Sequence, residues 1–481
     1  MSWQKAITEP ATEFATTPLS VISGAIPEAL KGTLYRNGPG RLSRGKQKVG
    51  HWFDGDGAIL GVKFAAEGVS ATYKYVQTEG YIAESEAGKY LFPNYGMTAP
   101  GAFWNNVTKP VKNSANTSVL ALSDRLLTLW EGGSPYGLDL ATLETLGADS
   151  LQDTLNDLPF SAHPKVDAAT GEIFNFGVTP GKDTTLNLYR CDATGKIVQK
   201  NDFALPGLPL VHDFALAGDY LVFLISPVRV QVIPVLLGRK CYCEAMEWQP
   251  KLGTEVWIFN RHNLSLISKG KTDPWYQWHY TNGYVDRDGN VVVEFVRYED
   301  FKTNQYLKEV PSGKTKTKAK GTLWQAVIEP QTAKVLKMEQ LLDRHCEFPL
   351  TAPQETGKPW RYTYLSTHRD GVDISQELLT AIAKFDRQTG ELSLVDMGAN
   401  MYPSEPIYVA SPDNSEAGWL LTVVYDGNQN RSEVRIYQSD RLEDDPLCRL
   451  ALPSVIPPGF HGTWQSHQIT LKRSLLFPET T

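Results

Sequence analysis

At 481 residues the chain can bury a large core, as two or three ordinary domains or as one large repetitive one. Its 41% hydrophobic and 21% charged content is that of a soluble globular protein, and 39 Gly, 30 Pro, 12 Trp and 21 Tyr favour turns and short strands over long helices. A formal net charge of −7 argues against nucleic acid as a partner, which calls for a basic face.

The opening residues, MSWQKAITEP, show no basic stretch leading into an apolar core, so no signal peptide is read. No run approaches the roughly 18–20 apolar residues that a spanning helix needs. Residues 1–24 are expected as an N-terminal arm and 25–481 as a single domain. KGTLYRNGPG (31–40) reads as the first strand of that domain, and FDGDGAIL (53–60) as a tight Gly-Asp turn. The latter has the look of a calcium loop, but the twelfth residue counted from Asp54 is Ala65, which offers no carboxylate.

From residue 124 one grammar recurs: a β-rich run, a Gly/Asp turn, another β-rich run. It appears over 124–147, 170–200, 218–270, 288–338, 360–398 and 417–442. Repeats of about 45–65 residues with roughly four strands each are the mark of β-propeller blades, which complete their cores by stacking around an axis. The expected fold is therefore all-β, a seven-bladed propeller. Its seventh blade would be built from 31–40 and terminal strands near 450–475. The Lys-rich run SGKTKTKAKG (312–321) reads as a solvated loop within one blade. Five cysteines (Cys191, Cys241, Cys243, Cys346 and Cys448) are irregularly spaced and read as reduced thiols of a cytoplasmic protein.

The histidines keep step with these units. His163 stands ten residues before Ile173, His212 eight before Tyr220, and His279 twelve before Val291, each at the head of a repeat. Two later units place a carboxylate there instead, Glu347 and Glu405, each fourteen residues before the next strand. The last segment adds His461 in GFHGTW, and Glu131 ends the strand LLTLWEGG. Equivalent positions of a propeller point at one axis, so four His and three Glu converge. Imidazole nitrogen suits Fe, Zn, Cu and Ni, and carboxylates one step out would accept the other ring N–H and fix its orientation. The same residues would also serve to line a wet central channel. His51, His262, His345, His368 and His467 follow no repeat position and are expected on the surface or in turns.

These segments resemble the carotenoid cleavage oxygenases, the family that includes the retinal pigment epithelium isomerase and the lignostilbene dioxygenases. The likeness is greatest to its cyanobacterial apocarotenoid 15,15′-oxygenase branch. It runs from about residue 20 to 470 through GTLYRNGPG, HWFDGDG, NSANTSVL, SAHPKVD, LVHDFAL, HYTNGY, CEFP, SEPIYV and GFHGTW. The resemblance implies a ferrous ion, Fe(2+), on the propeller axis, held by His163, His212, His279 and His461 beneath a cap of loops. It pairs Glu131 with His212, Glu347 with His279 and Glu405 with His461, and leaves His163 without a carboxylate. It also implies an apolar tunnel for a polyene, lined by Phe53, Trp130, Leu210 and Trp278.

The reaction implied is cleavage of one double bond of a carotenoid or apocarotenoid by O2 into two carbonyl products, retinal among them. Stilbene cleavage and retinoid isomerohydrolysis are the alternatives on the same site, and a metal-free binding propeller is the non-enzymatic one. The apolar segments 91–104 and 227–238 are too short to span a bilayer and are candidates for peripheral contact with one leaflet.

Overall fold

The structure is a computed structural model that describes residues 1–467 except 103, 182 and 413–417. The expected terminal strands near 450–475 thus lie partly outside the described residues. The fold is all-β and propeller-like. Five consecutive four-stranded antiparallel sheets follow the chain, beginning at Ser118, Lys165, Ala215, Tyr280 and Cys346. They contain the units expected over 124–147, 170–200, 218–270, 288–338 and 360–398.

Closure differs in kind from the expected additional four-stranded blades. One sheet has five strands, in which Gly32–Arg41 pairs with Asp56–Ala65 on one side and with Gly462–Ser466 on the other. The other has six, and there Val21–Gly24 pairs with Cys448–Ala451 beyond Gly418–Asp426 and Arg431–Gln438. Each closing sheet joins strands from both chain ends, so the ring is latched twice. Residues 1–24, expected as an arm, are woven into these latches: Phe14–Pro18 extends the first and Val21–Gly24 the second. Trp3 is fully buried, with its indole N–H donated to the Gln376 carbonyl at 3.2 Å.

The strands form where β-branched and aromatic residues alternate with turn residues. Cores lie between neighbouring sheets. Phe174, Leu186, Phe223 and Trp257, for example, pack together across two adjacent sheets, each at most 1% exposed. Stacking of this kind fixes the inner strand ends and the residues on them. Among the described residues no helix is long and apolar enough to cross a membrane.

Candidate metal centre

Each of the three histidines at repeat heads lies just before the first strand of its sheet: His163 before Lys165–Val166, His212 before Ala215–Ala217, His279 before Tyr280–Val285. His461 precedes Gly462–Ser466, the strand that latches the ring. All four are buried, and their Nε2 atoms meet. The Nε2 separations are 3.0 Å for His163–His212, 3.3 Å for His212–His279 and 3.1 Å for His279–His461. Ligand atoms of His163, His212 and His279 all lie within 4.8 Å of one another.

The outer ring nitrogens meet the three glutamates. His279 Nδ1 is 2.5 Å from Glu347, and His461 Nδ1 is 2.9 Å from Glu405. Glu131 touches His212 Nδ1 but lies off the line of a hydrogen bond, and it is more exposed than the other two. No carboxylate pairs with His163 among the described residues. The acids are themselves held in place. Glu347 accepts the Tyr298 hydroxyl at 2.7 Å, while Glu405 accepts the Gly462 N–H at 2.8 Å and pairs with buried Arg36 at 3.2 Å. Burial pushes the Glu347 and Glu405 carboxyls up, but the facing imidazoles and these donors outweigh it, so both sit below the usual range. Burial, with the crowding of the other imidazoles, holds His163 well below the ordinary histidine range. Burial also lowers His279, but Glu347 more than reverses it.

This chemistry fits a metal. A carboxylate at Nδ1 makes that nitrogen the donor, which leaves the Nε2 lone pair facing inward. His279 and His461 then point lone pairs at each other across 3.1 Å, an arrangement that a shared cation reconciles. With bonds of about 2.1 Å, nitrogens at right angles around one ion lie about 3.0 Å apart, and at tetrahedral angles about 3.4 Å. Two of the three observed edges match the right-angled case, so these nitrogens would hold an ion without surrounding it.

One apolar cavity reaches this point, and a second adjoins it beside Glu131. One touches His212, His279 and His461 and is walled by Phe53, Trp278, Leu307, Phe348 and Phe460. The other runs past Phe53, Trp130, Glu131 and Leu210 toward Val111, Val235 and Tyr242. All four tunnel residues expected from the sequence therefore face these spaces. Trp278 lies edge-on to His212, ring centres 4.7 Å apart, and donates its indole N–H to Thr303 at 2.9 Å. Phe53 and Thr117 line both cavities. A third cavity, polar, touches His163, His279 and His461 and is lined by Lys165, Asp213, Thr281 and Asn282. Residues that precede the ligands face the apolar spaces, and residues that follow His163, His212 and His279 face the polar one.

Sequence reasoning missed Thr117, whose carbonyl accepts the His461 N–H at 3.2 Å, although it lies within the quoted motif NSANTSVL. It also missed Phe348, which lines both an apolar and the polar cavity and stacks on His279 at 5.4 Å. Phe348 has φ +52°, a strained setting for a bulky residue that a sequence does not announce. Of the histidines expected on the surface or in turns, His51 and His368 are buried, His51 at a turn, and His345 is half-buried. His51 caps the turn Trp52–Asp54 and accepts the Phe53 N–H at 3.1 Å. His345 accepts the Gly321 N–H at 2.9 Å, and its ring lies 5.0 Å from that of buried His368. Backbone partners, rather than solvent, satisfy these rings. His262 is exposed, as expected.

The apolar segments also divide. Val228–Val230 is buried in a two-stranded ribbon, whereas the helix Val232–Leu236 that follows exposes Val232, Ile233 and Leu236, with Leu237 beyond it. Trp104, in the other segment, is also exposed.

A profile of RPE65, the retinal pigment epithelial membrane protein family, matches residues 7–466. The chain belongs to this family of carotenoid oxygenases and is an enzyme of the cleavage class. It is similar to apocarotenoid-15,15′-oxygenase of Synechocystis sp., with 31% identity over 92% of each chain. It is also similar to resveratrol cleavage oxygenase 1 of Aspergillus fumigatus, with 26% identity over 92% of this chain and 91% of the other. Among solved structures, cobalt-substituted Synechocystis ACO superposes with a TM-score of 0.87 at 29% identity, covering 97% of this chain and 98% of that one.

Proposed function

We propose that the chain is an iron(II)-dependent dioxygenase that cleaves one double bond of an apocarotenoid, giving two carbonyl products of which one is retinal. The observation that carries this reading is the convergence of four imidazole Nε2 atoms, three of the rings facing carboxylates, on the wall of an apolar cavity that shares Phe53 and Thr117 with a second one. We count the two latched sheets as blades of a seven-bladed propeller, and take residues 93–102, 104–111 and 235–242 with the helix Lys302–Glu309 as its cap over the centre.

What a ferrous ion supplies in this donor set is binding and activation of O2 at the positions the imidazoles leave open. The rest is the work of the chain. His163, His212, His279 and His461 hold the ion, and Glu131, Glu347 and Glu405 orient three of them while offsetting positive charge. Phe53, Trp130, Leu210 and Trp278 exclude water and stop the polyene with one bond beside the centre. A cytoplasmic enzyme with such a substrate must collect it from a bilayer. The exposed apolar helix Val232–Leu236 and Trp104 provide a surface that enters one leaflet.

The test is anaerobic incubation with an apocarotenal, followed by admission of O2. Retinal should form only after O2 enters, with one O2 consumed per bond cut. Retinal released without O2 uptake would point to the hydrolytic class. The similarity to a resveratrol-cleaving enzyme supports a second reading, stilbene cleavage; parallel assays with a stilbene and an apocarotenal separate the two by product.

A further inference from the structure

Among the described residues His163 has no carboxylate partner, yet its Nε2 lies 3.0 Å from that of His212. Its backbone N–H is donated to Ser161 Oγ at 3.1 Å, and two residues later Lys165 extends its ammonium to Asp213 Oδ1 at 2.7 Å. Asp213 directly follows His212 and is 4% exposed. Its Oδ1 also accepts the Phe214 N–H at 2.7 Å. Its Oδ2 accepts the N–H of Tyr280 at 2.9 Å, and Tyr280 directly follows His279. One buried carboxylate thus ties together the starts of three strands or the residue just before them, each preceded within three residues by an imidazole of the centre.

We propose that Asp213 is a positioning residue of the metal centre: bridged by Lys165, its carboxylate clamps the strand starts bearing His163, His212 and His279 and so sets their Nε2 spacing. The proposal deepens, and rests on, the reading of the four histidines as metal ligands. A buried ion pair is weak evidence of stabilisation, since a well-packed apolar pair of similar volume often does as well. What an apolar pair cannot supply here is an acceptor for two backbone N–H groups on different sheets together with a tether to a third. The clamp also stands in, by way of the backbone, for the glutamate that His163 lacks. Asn at 213 has one acceptor oxygen in place of two, so one of the two edges must meet an NH2 group and open.

The experiment uses the full chain freed of metal and titrated with Co(II), following affinity and the ligand-field absorption bands, with the thermal midpoint of each metal-free protein measured alongside. Asp213→Asn should weaken Co(II) binding by about 10–100-fold, the cost typical of losing a group that orients a ligand, and should shift the bands. Lys165→Met should do the same to a smaller degree, and Lys165→Arg should restore both affinity and spectrum. Folded Asp213→Asn and Lys165→Met proteins with wild-type affinity and bands, differing only in thermal midpoint, would overturn the clamp and leave an ordinary structural ion pair. If Asp213→Asn does not fold, Lys165→Met against Lys165→Arg decides by the same two readouts. His212→Ala is the separate control. Co(II) binding by it as tight as in the wild type would overturn the four-histidine reading, and the clamp with it.

Discussion

Glu347 and Glu405 are about 10% exposed and hydrogen-bond to their histidines, whereas Glu131 is 27% exposed and off-line from His212. Replacing each by Ala should therefore cost metal affinity unequally. Glu347→Ala and Glu405→Ala should fall toward the upper part of the roughly 10–100-fold range, and Glu131→Ala toward the lower, as read by metal content after dialysis against a chelator. Trp278 faces the cavity and the His212 ring, so Trp278→Ala should change which bond is cut, or slow cutting, while metal content stays near that of the parent. Loss of metal with unchanged products would make it a packing residue. The turn beside Phe53 gives a pH test. Burial lowers the His51 imidazole to about 3 and raises the Asp54 carboxyl to about 7. The buried neutral His51 adds stability above its unfolded value near 6.5, which is lost as pH falls toward 3. The protonated Asp54 adds stability below its unfolded value near 4, which is lost as pH rises through 7. Between about pH 4 and 6.5 the two slopes oppose each other and largely cancel. Asp54→Asn should leave the His51 slope alone, so its stability rises with pH by at most about 1.4 kcal/mol per unit. His51→Gln should show the reverse. Urea midpoints at pH 4.5 and 6.5 read both signs, and parallel pH profiles in all three proteins would contradict the assignment.

The element that most needs a test is the helix Val232–Leu236. Ile233 is 72% exposed and Leu236 63%, more than a helix in aqueous solvent has reason to show. Ile233→Glu together with Leu236→Glu should greatly reduce co-flotation with phospholipid vesicles while shifting the thermal midpoint little, because neither side chain is in the core. Unchanged flotation would leave the helix without a membrane role. At this scale much was legible in the sequence: strand spacing and Gly/Asp turns located the repeats, and the repeats located the histidines. Burial of the individual polar residues was not legible. Arg44, Asp56, Glu84 and Lys112, four charged residues that follow no repeat position, form one buried cluster that fastens Glu79–Ala87 to the five-stranded sheet. The burial of His51 and His368 was not legible for the same reason, since backbone carbonyls outside their own strands and turns meet their rings.

Across the whole molecule the ring depends on both ends of the chain. Repeats implied closure by the termini, but the double latch was not legible, because the pairing of Val21–Gly24 with Cys448–Ala451 joins two four-residue segments, the first of them exposed throughout. Trp3, fully buried, should make the N-terminal segment part of the folding unit, so Trp3→Ala should cost about 3–5 kcal/mol in denaturant unfolding. A loss under about 1 kcal/mol would show an arm separable from the ring. The same closure carries His461 to the other three histidines, so fold and chemistry share one geometric requirement. The measurement that bears most directly on it is metal analysis of protein purified without a metal-affinity tag, for the parent and for His163→Ala, His212→Ala, His279→Ala and His461→Ala. The account predicts close to one equivalent of iron in the parent and, in each folded variant, loss of most of it together with loss of O2-dependent cleavage. Full iron occupancy and turnover in any one variant would contradict a centre built from all four.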